Sequence, residues 1–283
     1  MIATLAEVLA PAMARGGAVP GLVVLGWEDA LAFARAGAAE GLPVILQAGP
    51  GCRRHTPLPV LGAIFRHLAE VTEVPVVAHL DHSTDIAECA AAIDAGFSSV
   101  MFDGSRLPLA ENIRQTAEVV RMAHARGVSV EGEVGFVGYA AGEASARTDP
   151  GEAALFAAMT GVDAMAVSVG NVHLQESPEA VIDLDRLREI EAAATVPLVL
   201  HGASGIPHEM RCRLARCSNV CKFNIGTELR QVFGRALRET LARHPDRFDR
   251  IAILSEVTDP MTQAARRLIA DLAPAGDSAP PTA

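Results

Sequence analysis

The sequence predicts one α/β domain folded as a (β/α)8 TIM barrel, and three observations predict it. Short β-rich apolar runs recur along the chain, each followed by an Ala-rich amphipathic stretch, which is the alternation that βα units and a parallel sheet produce. Eight such pairs can be counted. The 283 residues also fit one barrel of about 250 residues with short extensions.

Taken in order, the strands begin at Ala18 (AVPGLVVL), Leu42 (LPVILQAG), Val74 (VPVVAHLDH), Phe97 (FSSVMFDG), Val128 (VSVEGEVG), Val162 (VDAMAVSVG), Val196 (VPLVLHG) and Val220 (VCKFNIGT). Most lack polar alternation, as strands covered on both faces do. The helices are WEDALAFARAGAAEG, the segment 58–72, STDIAECAAAIDAG, ENIRQTAEVVRMAHARG, DPGEAALFAAMTG, DLDRLREIEAAA, PHEMRCRLARC and TELRQVFGRALRETLAR, with Gly96, Gly127 and Gly161 as helix stops. Residues 136–149, FVGYAAGEASARTD, follow the fifth strand without apolar periodicity and read as a mobile lid. The barrel is expected over residues 1–273, with a C-terminal helical extension. The Pro-, Ala- and Ser-rich stretch 274–283 is expected to be a disordered tail.

Composition narrows the function. Half the residues are apolar and a fifth are charged, ordinary for a globular protein with a large core. A net charge of -10 argues against nucleic acid, whose binding relies on Lys and Arg, and 4% aromatics leave few platforms for base stacking. No apolar run reaches the roughly 18 residues of a membrane span, and the N-terminal stretch lacks the basic flank of a secretory signal. The five scattered cysteines read as free thiols. Cys212, Cys217 and Cys221 lack paired CxxC spacing, so buried positions are the simpler reading than a metal site. A cytoplasmic protein is expected.

In this fold catalysis sits at the carboxyl ends of the strands, and ionisable residues gather there. Strand three ends in Asp81 and His82, strand four in Asp103, strand five in Glu131 and Glu133, strand six in GNVH with His173, strand seven in His201 and strand eight in Asn224. Three imidazoles around one axis can form an open zinc site. His79 is ambiguous, two residues short of the mouth. His55, His67, His124, His208 and His244 fall on helices or connections. LHGASGI and FNIGTEL follow strands seven and eight, where barrels commonly hold phosphate on backbone N–H groups.

HLDH, AGFSSVMFDGSRLPLAENI, AHARGVSVEGEVG, TGVDAMAVSVGNVH, LDRLREI, PLVLHGASGIP and KFNIGTELR together resemble the class II, zinc-dependent ketose-bisphosphate aldolases, over about residues 19–242. The resemblance implies His82, His173 and His201 as zinc ligands, with Asp103 and Glu133 as supporting or alternate ligands. It implies Asp81 as the acid/base at the hydroxyl whose carbon leaves as aldehyde. Gly202, Ser204, Asn224, Gly226 and Thr227 match the phosphate and ketose-binding loops. No Schiff-base lysine is then required, and Lys222 reads as structural or phosphate-proximal. The implied substrate is a ketose phosphate or bisphosphate, cleaved to dihydroxyacetone phosphate and an aldehyde. One zinc ion is implied, the resemblance also admits a monovalent cation, and a homo-oligomer, dimer or tetramer, is the family's usual state.

The pattern breaks at groups that touch substrate. The family's lid carries a GGxED-like stretch; here GYAAGEA puts Ala141 at the acid's place, with Glu143 as the nearest replacement. Leu22 and Val23 replace the usual FN of strand one, Gly49 replaces a Ser after strand two, and Leu174 replaces a Gly after His173. A changed substrate, changed proton transfer, or a non-catalytic sugar-phosphate and metal binder are all compatible with this. A zinc hydrolase fits less well, because Val23 and Val24 stand where an HxH pair is wanted.

Overall fold

The eight apolar runs become β1 Val19–Val23, β2 Val44–Ala48, β3 Val76–Ser83, β4 Ser99–Phe102, β5 Ser129–Val134, β6 Ala164–Val167, β7 Leu198–Leu200 and β8 Val220–Ile225. In the computed structural model, which describes residues 1–274, each strand pairs in parallel with the next and β8 pairs with β1. Gly21 is flanked by Ile45 on one side and Asn224 on the other, so the barrel is closed.

Eleven helices are described: α1 Leu5–Ala14, α2 Trp27–Glu40, α3 Pro50–His55, α4 Leu58–Val71, α5 Ile86–Asp94, α6 Leu109–His124, α7 Pro150–Thr160, α8 Leu184–Ala193, α9 His208–Cys217, α10 Thr227–Arg243 and α11 Arg250–Leu272. Asp85, Asp149, Asp183 and Asp249 cap α5, α7, α8 and α11 by accepting from first-turn amides, each worth about 1 kcal/mol. Gly161 ends α7 at φ +71°, a left-handed turn that a Cβ would disfavour.

Two helices, α1 and α3, go beyond the sequence reading. In α1, Pro11 obscures the helical period, yet Thr4 and Glu7 form a capping box and Leu5, Val8, Leu9 and Ala12 share one buried face. That face plugs the amino end of the barrel against Val19, Ile45, Val77, Ala164, Ala166, Val199 and Cys221. The short α3 follows β2. The C-terminal extension is the 23-residue α11, which packs on α2 and α10 through residues that include Val257, Met261, Ala265 and Leu268. Arg266 pairs with Glu40 at 2.6 Å, and the Ala18 amide donates to the Leu272 carbonyl at 2.7 Å. Pro274, expected to begin the tail, is instead buried, and a Cβ on Gly17 would lie 2.5 Å from its ring. The expected disorder of 275–283 lies outside the described residues.

Because side chains alternate along a strand, the barrel interior is layered. Above the apolar plug sit Gln47, His79, Ser99, Glu131 and Lys222, all fully buried. Above those lie Asp81, Glu133, His201 and Asn224, buried at the mouth. His79 thus faces inward: Nδ1 is 2.8 Å from Ser99 Oγ, and burial pushes its pKa down to about 3. It belongs to the layer beneath the mouth.

Candidate active site

Strict alternation would send Asp81 inward and His82 outward. A register shift between Leu80 and Ser83 and a left-handed His82 backbone, φ +52°, turn both toward the mouth. Such strain, roughly 1–3 kcal/mol for a non-glycine residue, gathers at functional sites. His173 arrives on the loop after β6. Asn171 shapes that loop: its Oδ1 accepts from the Val169 amide and its Nδ2 donates to the His201 carbonyl at 3.0 Å.

The three rings meet. Centroids lie 5.0 Å apart for His82 and His173, 4.5 Å for His82 and His201, and 5.6 Å for His173 and His201. One ring nitrogen from each falls within a mutual 4.8 Å, and His82, Asp103 and Glu133 form a second such group. Carboxylates orient the rings from behind. His82 Nδ1 is 2.7 Å from Asp103 Oδ2, and His201 Nε2 is 3.0 Å from Glu131 Oε1. The opposite nitrogens, His82 Nε2 and His201 Nδ1, and also Glu133 Oε2, are buried without hydrogen-bond partners. Buried polar atoms normally find partners, so this donor set fits a divalent cation backed by carboxylate–histidine pairs. Among the described residues no cysteine joins either group; Cys212 and Cys221 are buried free thiols and Cys217 is exposed.

The electrostatics agree. Burial opposes charge on His201, yet Glu131 and Glu133 push its pKa up to about 10. Burial likewise opposes charge on His82, and Asp81 and Asp103 nonetheless raise it. Burial, with His82 and His201 alongside, pushes His173 down to about 2. For Asp81 burial alone would raise the pKa, but His82, Lys222 and the other imidazoles hold it below the ordinary value. A protonated imidazole must lose its proton to bind metal. Zinc affinity is therefore expected to rise with pH through neutrality toward about 10, where His201 titrates, by about tenfold per unit for each proton released. Calorimetry in buffers of different ionisation enthalpy checks this: a binding heat independent of buffer would contradict it.

These groups open on a cavity of about 490 Å³. Asp81, His82, Asp103, Glu133, His173, Gly202, Ser204, Asn224, Gly226 and Thr227 all line it, while His201 lies fully buried behind them. Gly202, φ +61°, leads into a 3₁₀ turn, Ala203–Gly205. A Cβ on Gly202 would meet the Val172 carbonyl oxygen at 2.1 Å, so its first role is to let the β7 loop pack under the loop of His173. Ser204 Oγ accepts from the Gly226 amide at 3.3 Å and the Glu228 amide at 3.2 Å, tying that turn to the start of α10.

Glu143 does not line the cavity. It is 56% exposed and bonds to Arg106 at 2.6 Å, and Arg106 in turn sits 4.2 Å from the centre of the Phe136 ring. The lid is anchored by Phe136 bridging Ala146 and by Tyr139 bridging His173. The Tyr139 ring stacks on His173 at 5.1 Å. Tyr139, the chain's single tyrosine, lines the cavity without having been singled out in the sequence. Arg106, Arg54 and Arg230 also line the cavity without having been singled out.

Leu174 adopts φ +57° and is 52% exposed. Left-handed geometry costs a side-chain-bearing residue roughly 1–2 kcal/mol, and little burial is lost on truncation. Leu174→Gly is expected to stabilise the fold by about 1 kcal/mol, read as a higher urea midpoint at unchanged slope; a lower midpoint would show that the Leu packs usefully.

Residues 3–277 match the family described as "Fructose-bisphosphate aldolase class-II". The chain belongs to that family. This class II aldolase-family chain is 44% identical over 204 residues to the 6-phospho-5-dehydro-2-deoxy-D-gluconate aldolase of Shouchella clausii (strain KSM-K16), covering 71% of this chain and 69% of that one. It resembles the crystal structure of the YdjI aldolase from Escherichia coli K12 at a TM-score of 0.86 and 29% identity, over 99% of this chain and 100% of that one. The fold is shared with fructose-bisphosphate aldolase from Campylobacter jejuni, TM-score 0.78 at 22% identity, over 96% of this chain and 95% of that one. The family and these relatives support an aldolase-type lyase with a sugar phosphate substrate. Among the described residues no helix is long and apolar enough to cross a membrane.

Proposed function

We propose that the protein is a zinc-dependent aldolase that breaks or forms one carbon–carbon bond of a ketose phosphate, with dihydroxyacetone phosphate as the donor half. One observation carries the reading: Asp81 is a buried carboxylate next to three imidazoles, two of whose ring nitrogens are buried without a hydrogen bond, at the head of one cavity. His82, His173 and His201 would hold the ion, with Asp103 and Glu133 as alternates. Bound there, a divalent cation supplies Lewis acidity where negative charge develops on the donor half, worth several kcal/mol. Asp81 takes the proton from the hydroxyl whose carbon leaves as aldehyde, and returns it in the reverse direction. Gly202, Ser204, Gly226 and Thr227 receive the phosphate end, at the 3₁₀ turn and the start of α10, and Asn224, at the end of β8, faces the ketose beside Asp81. Glu143 would have to leave Arg106 to handle the proton on the donor carbon, a role closed to Ala141.

The test is deuterium exchange into dihydroxyacetone phosphate by zinc-loaded protein, with condensation against a panel of aldehydes. Metal-dependent exchange supports the reading. No exchange together with no condensation would favour the binder that has lost its lid acid.

A specific feature points to an acid-bearing aldehyde half. Arg54 and Arg230 line the cavity on either side of β1, and among the described residues neither has a carboxylate within ion-pair distance. The Shouchella clausii relative is named for a gluconate-type substrate, whose sugar acid ends in a carboxylate. Within the aldehyde panel, an acceptor with a terminal carboxylate or phosphate is expected to outrun its neutral analogue. The preference should be lost in Arg54→Gln/Arg230→Gln; equal rates for charged and neutral acceptors would remove this reading.

A further inference from the structure

Below the cavity, one buried cation links two parts of the site. Lys222 is fully buried inside the barrel and does not line the cavity. Its Nζ donates to Glu131 Oε2 at 2.8 Å and to Asn224 Oδ1 at 2.7 Å. The other oxygen of Glu131 is 3.0 Å from His201 Nε2, and Asn224 Nδ2 donates to Asp81 Oδ1 at 3.2 Å.

We propose that Lys222 is a positioning residue that sets the acid/base Asp81 and the metal-binding His201 in a fixed relation to each other. It rests on the roles given to Asp81 and His201 above. An ammonium group has donors and no acceptor, so only the oxygen of the Asn224 amide can face it. The amide nitrogen is thereby committed to Asp81. On the other arm, the ammonium pins one oxygen of a carboxylate that can only accept, and the second oxygen is aimed at His201 Nε2. When the ring gives up one proton to bind metal, that nitrogen keeps the other, which leaves the Nδ1 lone pair facing the other imidazoles. With an apolar side chain at position 222, Asn224 Oδ1 would lose its buried partner and only Asp81 would hold the amide, and Glu131 would be free to turn from His201. The same burial and pairing keep Lys222 from meeting a carbonyl in the cavity, so it does not serve as a Schiff-base lysine.

Lys222→Met alone would strand a buried carboxylate and endanger folding, so the informative variant is Lys222→Met/Glu131→Gln, which removes both charges at similar volume. The first readout is zinc affinity by chelator competition, with zinc as the only ligand. It is expected to fall about 10- to 100-fold, the usual effect of disturbing the partner of a metal-binding histidine. The second is condensation with the aldehyde that the wild type accepts best, at saturating zinc: kcat is expected to fall about tenfold or more at little-changed KM, as for a group that aligns the acid/base rather than binds substrate. A folded double variant with wild-type zinc affinity and wild-type kcat overturns the proposal and leaves the proposed function standing. A wild type that takes up no zinc overturns both.

Discussion

Asp81→Asn is expected to lower kcat by about 100- to 10,000-fold, the range for removing a general acid–base, with the fold and zinc content intact. The side chain is 6% exposed and its Oδ1 accepts from Asn224. An Asn of the same shape fills the same space. What disappears is the ability to take a proton. Because the neighbouring imidazoles and Lys222 hold Asp81 below the ordinary carboxylate pKa despite its burial, the wild-type group is ionised and ready as a base at neutral pH. Cleavage or condensation rates at saturating zinc, alongside zinc content by elemental analysis, decide the matter. A loss smaller than tenfold would assign the proton to another group.

The second large effect is expected for His201→Ala, which should cost both metal and stability. His201 is fully buried and stands between two buried carboxylates, 3.0 Å from Glu131 and 3.3 Å from Glu133. Removing one partner from such a set typically costs about 3–5 kcal/mol, because charge is left buried and unpaired. Zinc affinity should fall by more than the roughly 10- to 100-fold that follows loss of a ligand's own partner. His173→Ala provides the contrast. His173 is partly exposed on a loop and stacks on Tyr139, so its loss should weaken zinc binding with a much smaller shift in the urea midpoint. Equal stability losses in the two variants would mean that the buried carboxylates are accommodated without His201.

What could be read from the sequence follows the physics of each residue. All eight strands were legible because both faces are covered, and Asp81, Asp103, Glu133, His173 and Asn224 were legible because strand ends in a barrel converge. The register shift that rotates His82 inward has no local signature; simple alternation would have pointed it away. The helix α1 was hidden by Pro11 and by a position that invites comparison with a signal segment. Glu131 was read as a strand-end group and Lys222 as structural or phosphate-proximal; the contact across the barrel from β5 to β8 that pairs them was not legible. The irregular segment 136–149 was legible from composition, but the partnership of its Glu143 with Arg106 joins segments far apart in sequence. Gly202 was legible as a close-approach position, whereas the group it approaches, the Val172 carbonyl, was not.

The bond from Ala18 to Leu272 bears on how this chain comes to be folded. The segment entering the first strand is fastened to the last turn of the last described helix, and the first and last strands are neighbours. Contacts this distant in sequence slow the search for the native state. During synthesis an emerging chain can assemble only an open, incomplete sheet, with an unpaired edge, until nearly all of it has left the ribosome. Such an intermediate is the kind that chaperones shield; cutting away α11 should yield aggregates rather than a smaller working enzyme.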